Sequence, residues 1–223
     1  MQNAEDLFHE ATALHAAGAF GRALFLHQIS LEECAKIDML GAWAASVLTG
    51  VRLDIKKTSQ AFANHKAKNY TNAYMLPVAG DEADARQSKR WPEASKAFKQ
   101  RQAQFHEESN LAKNSALYVD FQGGNFFAPR ERITAAMVED FAERNEKYLG
   151  FAYSKTRMMN RWVTSPERVR EMLTWFEARI REITSTSDDP EGALSIIVDE
   201  MLSKAKETGY ADAVTKREEK GTD

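Results

Sequence analysis

Five prolines and eleven glycines in 223 residues are too few to turn the many corners of a β-sandwich or barrel, and this scarcity biases the chain towards helix. With 43% hydrophobic and 28% charged residues the chain has the makings of a core, which excludes wholesale disorder. Its length suits one well-cored domain, or one domain with an appended helical hairpin. A single cysteine, Cys34, can neither close an internal disulfide nor form a cysteine pair for zinc, as expected in a reducing compartment. The first residues are acidic and polar, without the basic-then-apolar order of a signal peptide. The nearly uncharged stretch from Met39 to Val51 is too short to cross a bilayer. A cytoplasmic protein with no membrane association is the expectation.

Apolar spacing places the elements. Leu7, Ala11 and Leu14 mark one face of a first helix, opened near Asn3 and Asp6 and closed by Gly18. A short connection leads to a longer second helix, Arg22 to Leu48, which stops at Gly50 and completes an antiparallel hairpin. A third helix is predicted from Leu53 to Met75, ended by Pro77 and a turn at Ala79-Gly80-Asp81. The fourth runs from Pro92 to Ser115 with a thin stripe of Ala94, Phe98 and Phe105. Leu117 to Phe121 reads as an extended segment entering a loop to Pro129. Further helices open at Thr134, where Ile133 suggests a hydrophobic staple, at Ser165-Pro166-Glu167 and at Asp189-Pro190-Glu191. The fold class is all-α. Residues 1–130 form a helical core, 131–208 add C-terminal helices, and 209–223 read as a charged, flexible tail.

The net charge of −3 is unevenly spread. Between Arg52 and Arg101 eleven basic residues face five acidic ones, a net +6, leaving −9 for the remainder. A basic middle of this kind attracts a polyanion, or is simply a solvated helix face.

Glycine-rich phosphate loops, GxSxG and HExxH are all absent, and Cys34 lies among apolar neighbours unlike a reactive thiol. No metal or other cofactor is expected. What remains is a polar constellation. The second helix carries Leu31-Glu32-Glu33-Cys34-Ala35-Lys36, the third His65-Lys66-Ala67-Lys68. Charges among small apolar residues are partly desolvated and need partners, which Glu32 or Glu33 facing His65 would supply. Such groups either staple two helices together or hold a histidine of raised basicity near Lys68 for acid–base work.

The same residues carry a resemblance. Asn3-Ala-Glu, Gly18-Ala-Phe-Gly-Arg-Ala-Leu24, the Leu-Glu-Glu-x-x-Lys ending at Lys36, the His-Lys-x-Lys ending at Lys68, and Leu117-Tyr-Val-Asp120 follow one another in order. Together they resemble the AbiV family of abortive-infection proteins, within the HEPN superfamily of helical domains. The resemblance spans about residues 3 to 130 and implies an HEPN-like antiparallel helical bundle with additional C-terminal helices. It also implies a bacterial anti-phage effector that arrests growth or translation. Many HEPN proteins are metal-independent ribonucleases with an Arg-x(4–6)-His motif, commonly completed in a homodimer. Arg101 to His106 and Arg22 to His27 both meet that pattern, the second amid packing residues.

In the nuclease reading His106 is the base that takes the 2′-OH proton and Arg101 steadies the charge growing on phosphorus, with Lys96 and Lys99 as RNA contacts. Residues five apart on a straight helix point about 140° away from each other, so this pair needs a helix irregularity or a second subunit to converge. Tyr118 either stacks a base or plugs the core, and Asp120 either orients His65 or Lys68 or caps a turn. The competing reading is a non-enzymatic protein that blocks translation, or senses a phage protein, through a surface such as the Phe126-Phe127 loop.

Overall fold

The computed structural model describes residues 1–186 and Glu200. Its first helices, α1 (Gln2–Ala16) and α2 (Phe20–Leu48), form the expected hairpin. Gly18 closes α1 in the left-handed region at φ 73°, which glycine enters without strain. The opening differs slightly from expectation: Met1 caps α1 without a side-chain bond, and the amide of Gln2 donates to Asp6. Buried Ala4, Ala11, Ala23 and Ala35 let helices pack closely around α2. Gly21 is needed for a similar reason, since a Cβ there would fall 2.7 Å from the carbonyl oxygen of Ala116.

The predicted third helix is two. Asn64 adopts an extended conformation (φ −89°, ψ 113°) between α3 (Ile55–Ala63) and α4 (His65–Asn72). Its side chain accepts from Ala67 N at 3.0 Å, so capping a fresh helix outcompetes continuing the old one. A single 3-10 turn, Ala73–Met75, follows. A short α5 (Asp81–Gln87) then occupies the stretch expected to be a turn and loop, and α6 (Trp91–Leu117) carries Pro92 in its first turn as anticipated.

The extended segment after α6 is one arm of a hairpin, β1 (Asp120–Gln122) against β2 (Asn125–Phe127), with Asp120 opposite Phe127. Gly123 and Gly124, at φ 58° and 86°, form the two-residue turn that matches strand twist. A turn of helix, α7 (Pro129–Arg132), precedes α8 (Ala135–Thr164), where Thr134 caps Met137 N as predicted. The last described helix is α9 (Pro166–Thr186). The helix expected from Asp189 and the charged tail lie outside the described residues.

Helix α2 is the axis, in contact with α1, α4, α6, α8 and α9. Two apolar clusters lie along it. One joins Ala23 and Leu24 to Ala116, Ile133 and Val138, the other Leu31, Cys34 and Ile37 to Ala4, Tyr148, Leu149 and Ala152. Between them sits a polar layer of His27, Gln28, Ser30 and Asn145, all buried. Fully buried Leu24 and Leu31 each contribute about 2 kcal/mol. The next polar residue along α2, Glu32, faces α4 and α6.

Candidate active site

Glu32 follows core residue Leu31, and its side chain is only 1% exposed. A carboxylate in that position is tolerable only if cations surround it. Three do. Oε2 lies 2.7 Å from Lys68 Nζ and 2.5 Å from His65 Nδ1, and Oε1 lies 3.4 Å from Lys113 Nζ. His65 and Lys68 share a side of α4 because they are three residues apart, and Lys113 reaches in from α6. Burial, the largest single influence on Glu32, pushes its pKa up. Hydrogen bonds from Lys68 and His65 and the charges of Lys68 and Lys113 outweigh it, so the carboxyl ends below its usual range. With Glu32 ionised, His65 must present Nδ1–H to it, and Nε2 is left as the outward nitrogen.

One turn further along α4 stands a second histidine contact. Asn69 is buried, and its Nδ2 lies 3.2 Å from Nδ1 of the partly exposed His106 on α6. The amide oxygen of Asn69 has no hydrogen-bond partner among the described residues. Tyr70 meets His106 edge-on at 6.1 Å between centroids, and Lys66 Nζ sits 5.2 Å from the Tyr70 centroid. Burial lowers the pKa of His106, the charges of Lys66 and Lys113 lower it further, and Glu107 and Glu32 only partly compensate. The ring is therefore neutral at neutral pH, the state a general base requires. His106 and Lys113 are seven residues apart, two turns along one face of α6.

The profile of the AbiV family matches residues 1–150, a span that holds every residue of this cluster. The chain belongs to the AbiV family. The family model carries the HEPN label, which agrees with the helical bundle. The chain is also 43% identical over 111 residues to the uncharacterised protein y4gJ of Sinorhizobium fredii (strain NBRC 101917 / NGR234). The matched stretch is 50% of this chain and 58% of that relative, so this chain spans little more than half the relative's length. No solved structure matches.

Other candidate residues of this AbiV-family chain fall elsewhere. Of the two neighbouring glutamates it is Glu32 that meets His65. Glu33 turns away and pairs with Lys36 at 2.5 Å within α2. Arg101 Nη2 lies 2.6 Å from the buried Glu82 of α5, its Nη1 donates to the Pro77 carbonyl, and it shares no partner with His106. Helix α6 runs unbroken between them, so the expected angular divergence holds within one chain. Lys96 and Lys99 are exposed on the same helix.

Tyr118 does not plug the core. It is 64% exposed, because α6 ends at Leu117 and the chain leaves the bundle there. Asp120 has the turn-capping role: it accepts from Phe121 N and Gln122 and pairs with Arg132 at 2.9 Å, away from His65 and Lys68. His27 is sealed in the polar layer, and burial pushes the Cys34 thiol up to about 12. Among the described residues no helix is long and apolar enough to cross a membrane.

Lys113, Asn69 and Tyr70 were not singled out from sequence, and Lys66 entered only as a member of the His-Lys-x-Lys segment. Lys113 was within reach, since the seven-residue step from His106 puts both on one face. Asn69 and Tyr70 belong to the turn after His65, but only the break at Asn64 decides which way that turn faces.

Proposed function

We propose that this protein is an abortive-infection effector that cleaves RNA without a metal, with His106 as the base. The observation that carries this reading is the buried Glu32 ringed by Lys68, Lys113 and His65, beside a neutral, accessible His106. Two ammonium groups around one carboxylate leave the cleft positive, and the exposed Lys66 adds to it. Such a cleft draws in a phosphodiester and stabilises the charge that grows on phosphorus. His106 removes the 2′-OH proton, the alkoxide attacks the adjacent phosphorus, and Lys113 and Lys66 face the developing oxyanion. Arg101 serves on this reading to hold α5 through Glu82, unless a second subunit brings another cleft to it. The resemblance also implies RNA or the translation machinery as target, a phage protein as trigger, homodimer formation and a cytoplasmic setting.

The test is cleavage of total cellular RNA by purified protein, alone and with extract from phage-infected cells. His106→Ala should slow cleavage about 10²- to 10⁴-fold, the usual worth of a general base, without lowering the melting temperature. Equal rates in wild type and His106→Ala would remove the assignment.

A second reading rests on a different observation. Tyr118, Val119, Phe121 and Phe126 are each more than half exposed on and beside the hairpin, an apolar patch suited to a protein contact. No cleavage under any condition, together with a stable complex lost on Phe121→Ser/Phe126→Ser, would favour that reading over the nuclease.

A further inference from the structure

We infer that His65 is a second catalytic residue of the same cleft, the general acid that protonates the leaving 5′-oxygen. The inference rests on the ribonuclease reading and assigns the half of the reaction that His106 leaves undone. Attack of the 2′-oxygen forms an O2′–P bond and breaks the P–O5′ bond. The proton taken by His106 stays on that ring, so the departing 5′-alkoxide needs a proton from another group.

Three observations single out His65. Its Nδ1 is committed to Glu32 at 2.5 Å, so a protonated His65 has one proton to give outward, the one on Nε2. Its side chain is 54% exposed while its partner carboxylate is 1% exposed, an arrangement with a fixed ring base and a free working edge. It also sits four residues before Asn69, the residue that holds His106. That is one turn of α4 and about 6 Å of helix rise, so His65 and the residue that holds His106 share one face of α4.

A purely structural role accounts for less. Lys68 and Lys113, 7% and 13% exposed, already give Glu32 two cations better shielded from water than a half-exposed imidazole. A third, solvated partner adds little stability. The charged and titratable groups around the ring are Glu32 from α2, Lys68 from its own helix, and Lys113 with His106 from α6.

The test uses the full chain and an oligoribonucleotide with a mapped cleavage position, made either with its natural 5′-oxygen or with a bridging 5′-sulfur. A thiolate departs without being protonated, so the sulfur substrate removes the need for an acid and leaves the need for a base. His65→Gln should be slowed about 100-fold on the oxygen substrate and restored to within about threefold of wild type on the sulfur one. His106→Ala should be slow on both. Equal slowing of His65→Gln on both substrates, or none on either, overturns the inference with the ribonuclease reading intact. A wild-type protein that cleaves neither substrate overturns that reading itself. Matching melting temperatures for wild type and His65→Gln exclude misfolding as the cause of a slow rate.

Discussion

Two histidines of this chain are held by the same device, an asparagine amide nitrogen 3.2 Å from ring Nδ1, and the pairs do opposite things. Asn145 also donates to the His27 carbonyl, and its Oδ1 lies 3.2 Å from the Ser30 hydroxyl, which donates its proton to the nearer Ala4 carbonyl at 2.6 Å. Asn145 is fully buried beside His27, and Phe8 covers the His27 ring edge-on at 5.1 Å. This is a histidine built into the packing. Asn69 has one contact to His106 and, among the described residues, an amide oxygen without a partner, and the ring it holds is partly open to water near Lys66 and Lys113. The hydrogen bond is therefore no guide to role. What separates the two is access to water: His27 is 1% exposed, whereas the His106 ring is partly open to solvent.

The largest effect should come from breaking the open side at its anchor. Glu32→Gln leaves Lys68, 6% exposed, without a counter-charge, and loss of one partner of a buried ion cluster costs about 3–5 kcal/mol. Urea denaturation should show that loss, together with collapse of RNA cleavage. Glu32→Gln/Lys68→Met removes both charges and should recover most of the stability but none of the cleavage. A cost below about 1 kcal/mol for Glu32→Gln would mean water already reaches the cluster, and the contrast with His27 would lose its basis.

The outline of the fold was readable from sequence because helices announce themselves locally. Gly18, Gly50, Pro92 and Thr134 mark ends that depend on neighbours within a turn or two. The break at Asn64 was not readable, since an asparagine inside an apolar pattern either caps or faces solvent according to what the following turn can reach. The site followed the same division. The notion that a glutamate of α2 meets His65 came from spacing and desolvation. Choosing Glu32 over Glu33 required the rotation of α2 against α4, which depends on contacts between residues more than thirty positions apart. Lys113 lies eighty-one residues from Glu32, too far for any local pattern to join them. The divergence of Arg101 and His106 was legible in advance, being a property of a single straight helix.

The closed pair predicts a pH effect of intermediate size. Burial, aided by His15, lowers His27 from 6.5 to about 4. Between those values the unfolded chain binds a proton at His27 that the folded chain refuses, so stability falls as pH falls through this window. Above pH 6.5 both states are neutral there and nothing is lost, whereas below about pH 4 the penalty reaches about 3 kcal/mol. Urea midpoints measured from pH 7.5 to 4.5 should therefore fall more steeply for wild type than for His27→Gln, whose curve lacks this contribution. His106→Gln should flatten the slope less than His27→Gln does, because His106 is lowered in the same direction but its ring is partly open to water. Parallel slopes for wild type and His27→Gln would show that the polar layer opens to water and is no more sealed than the cleft.

The smallest effect tests the same contrast between adjacent residues. Glu33 and Glu32 are identical in chemistry and neighbours in sequence, yet a rotation of about 100° along α2 turns one towards α4 and α6 and the other towards Lys36. The Glu33–Lys36 pair lies within one helix, its members 18% and 28% exposed, where an ion pair contributes about 0.5 kcal/mol or less. Glu33→Gln should thus barely move the urea midpoint and should leave RNA cleavage within about twofold of wild type. Repeating the measurement at 1 M salt sharpens it, because screening erases the remaining contribution of a water-exposed pair and leaves the Glu32 cluster largely untouched. If Glu33→Gln were as damaging as Glu32→Gln, the face of α2 that carries Glu33 would have to be covered in the working protein, and the cleft would extend around the helix onto that side.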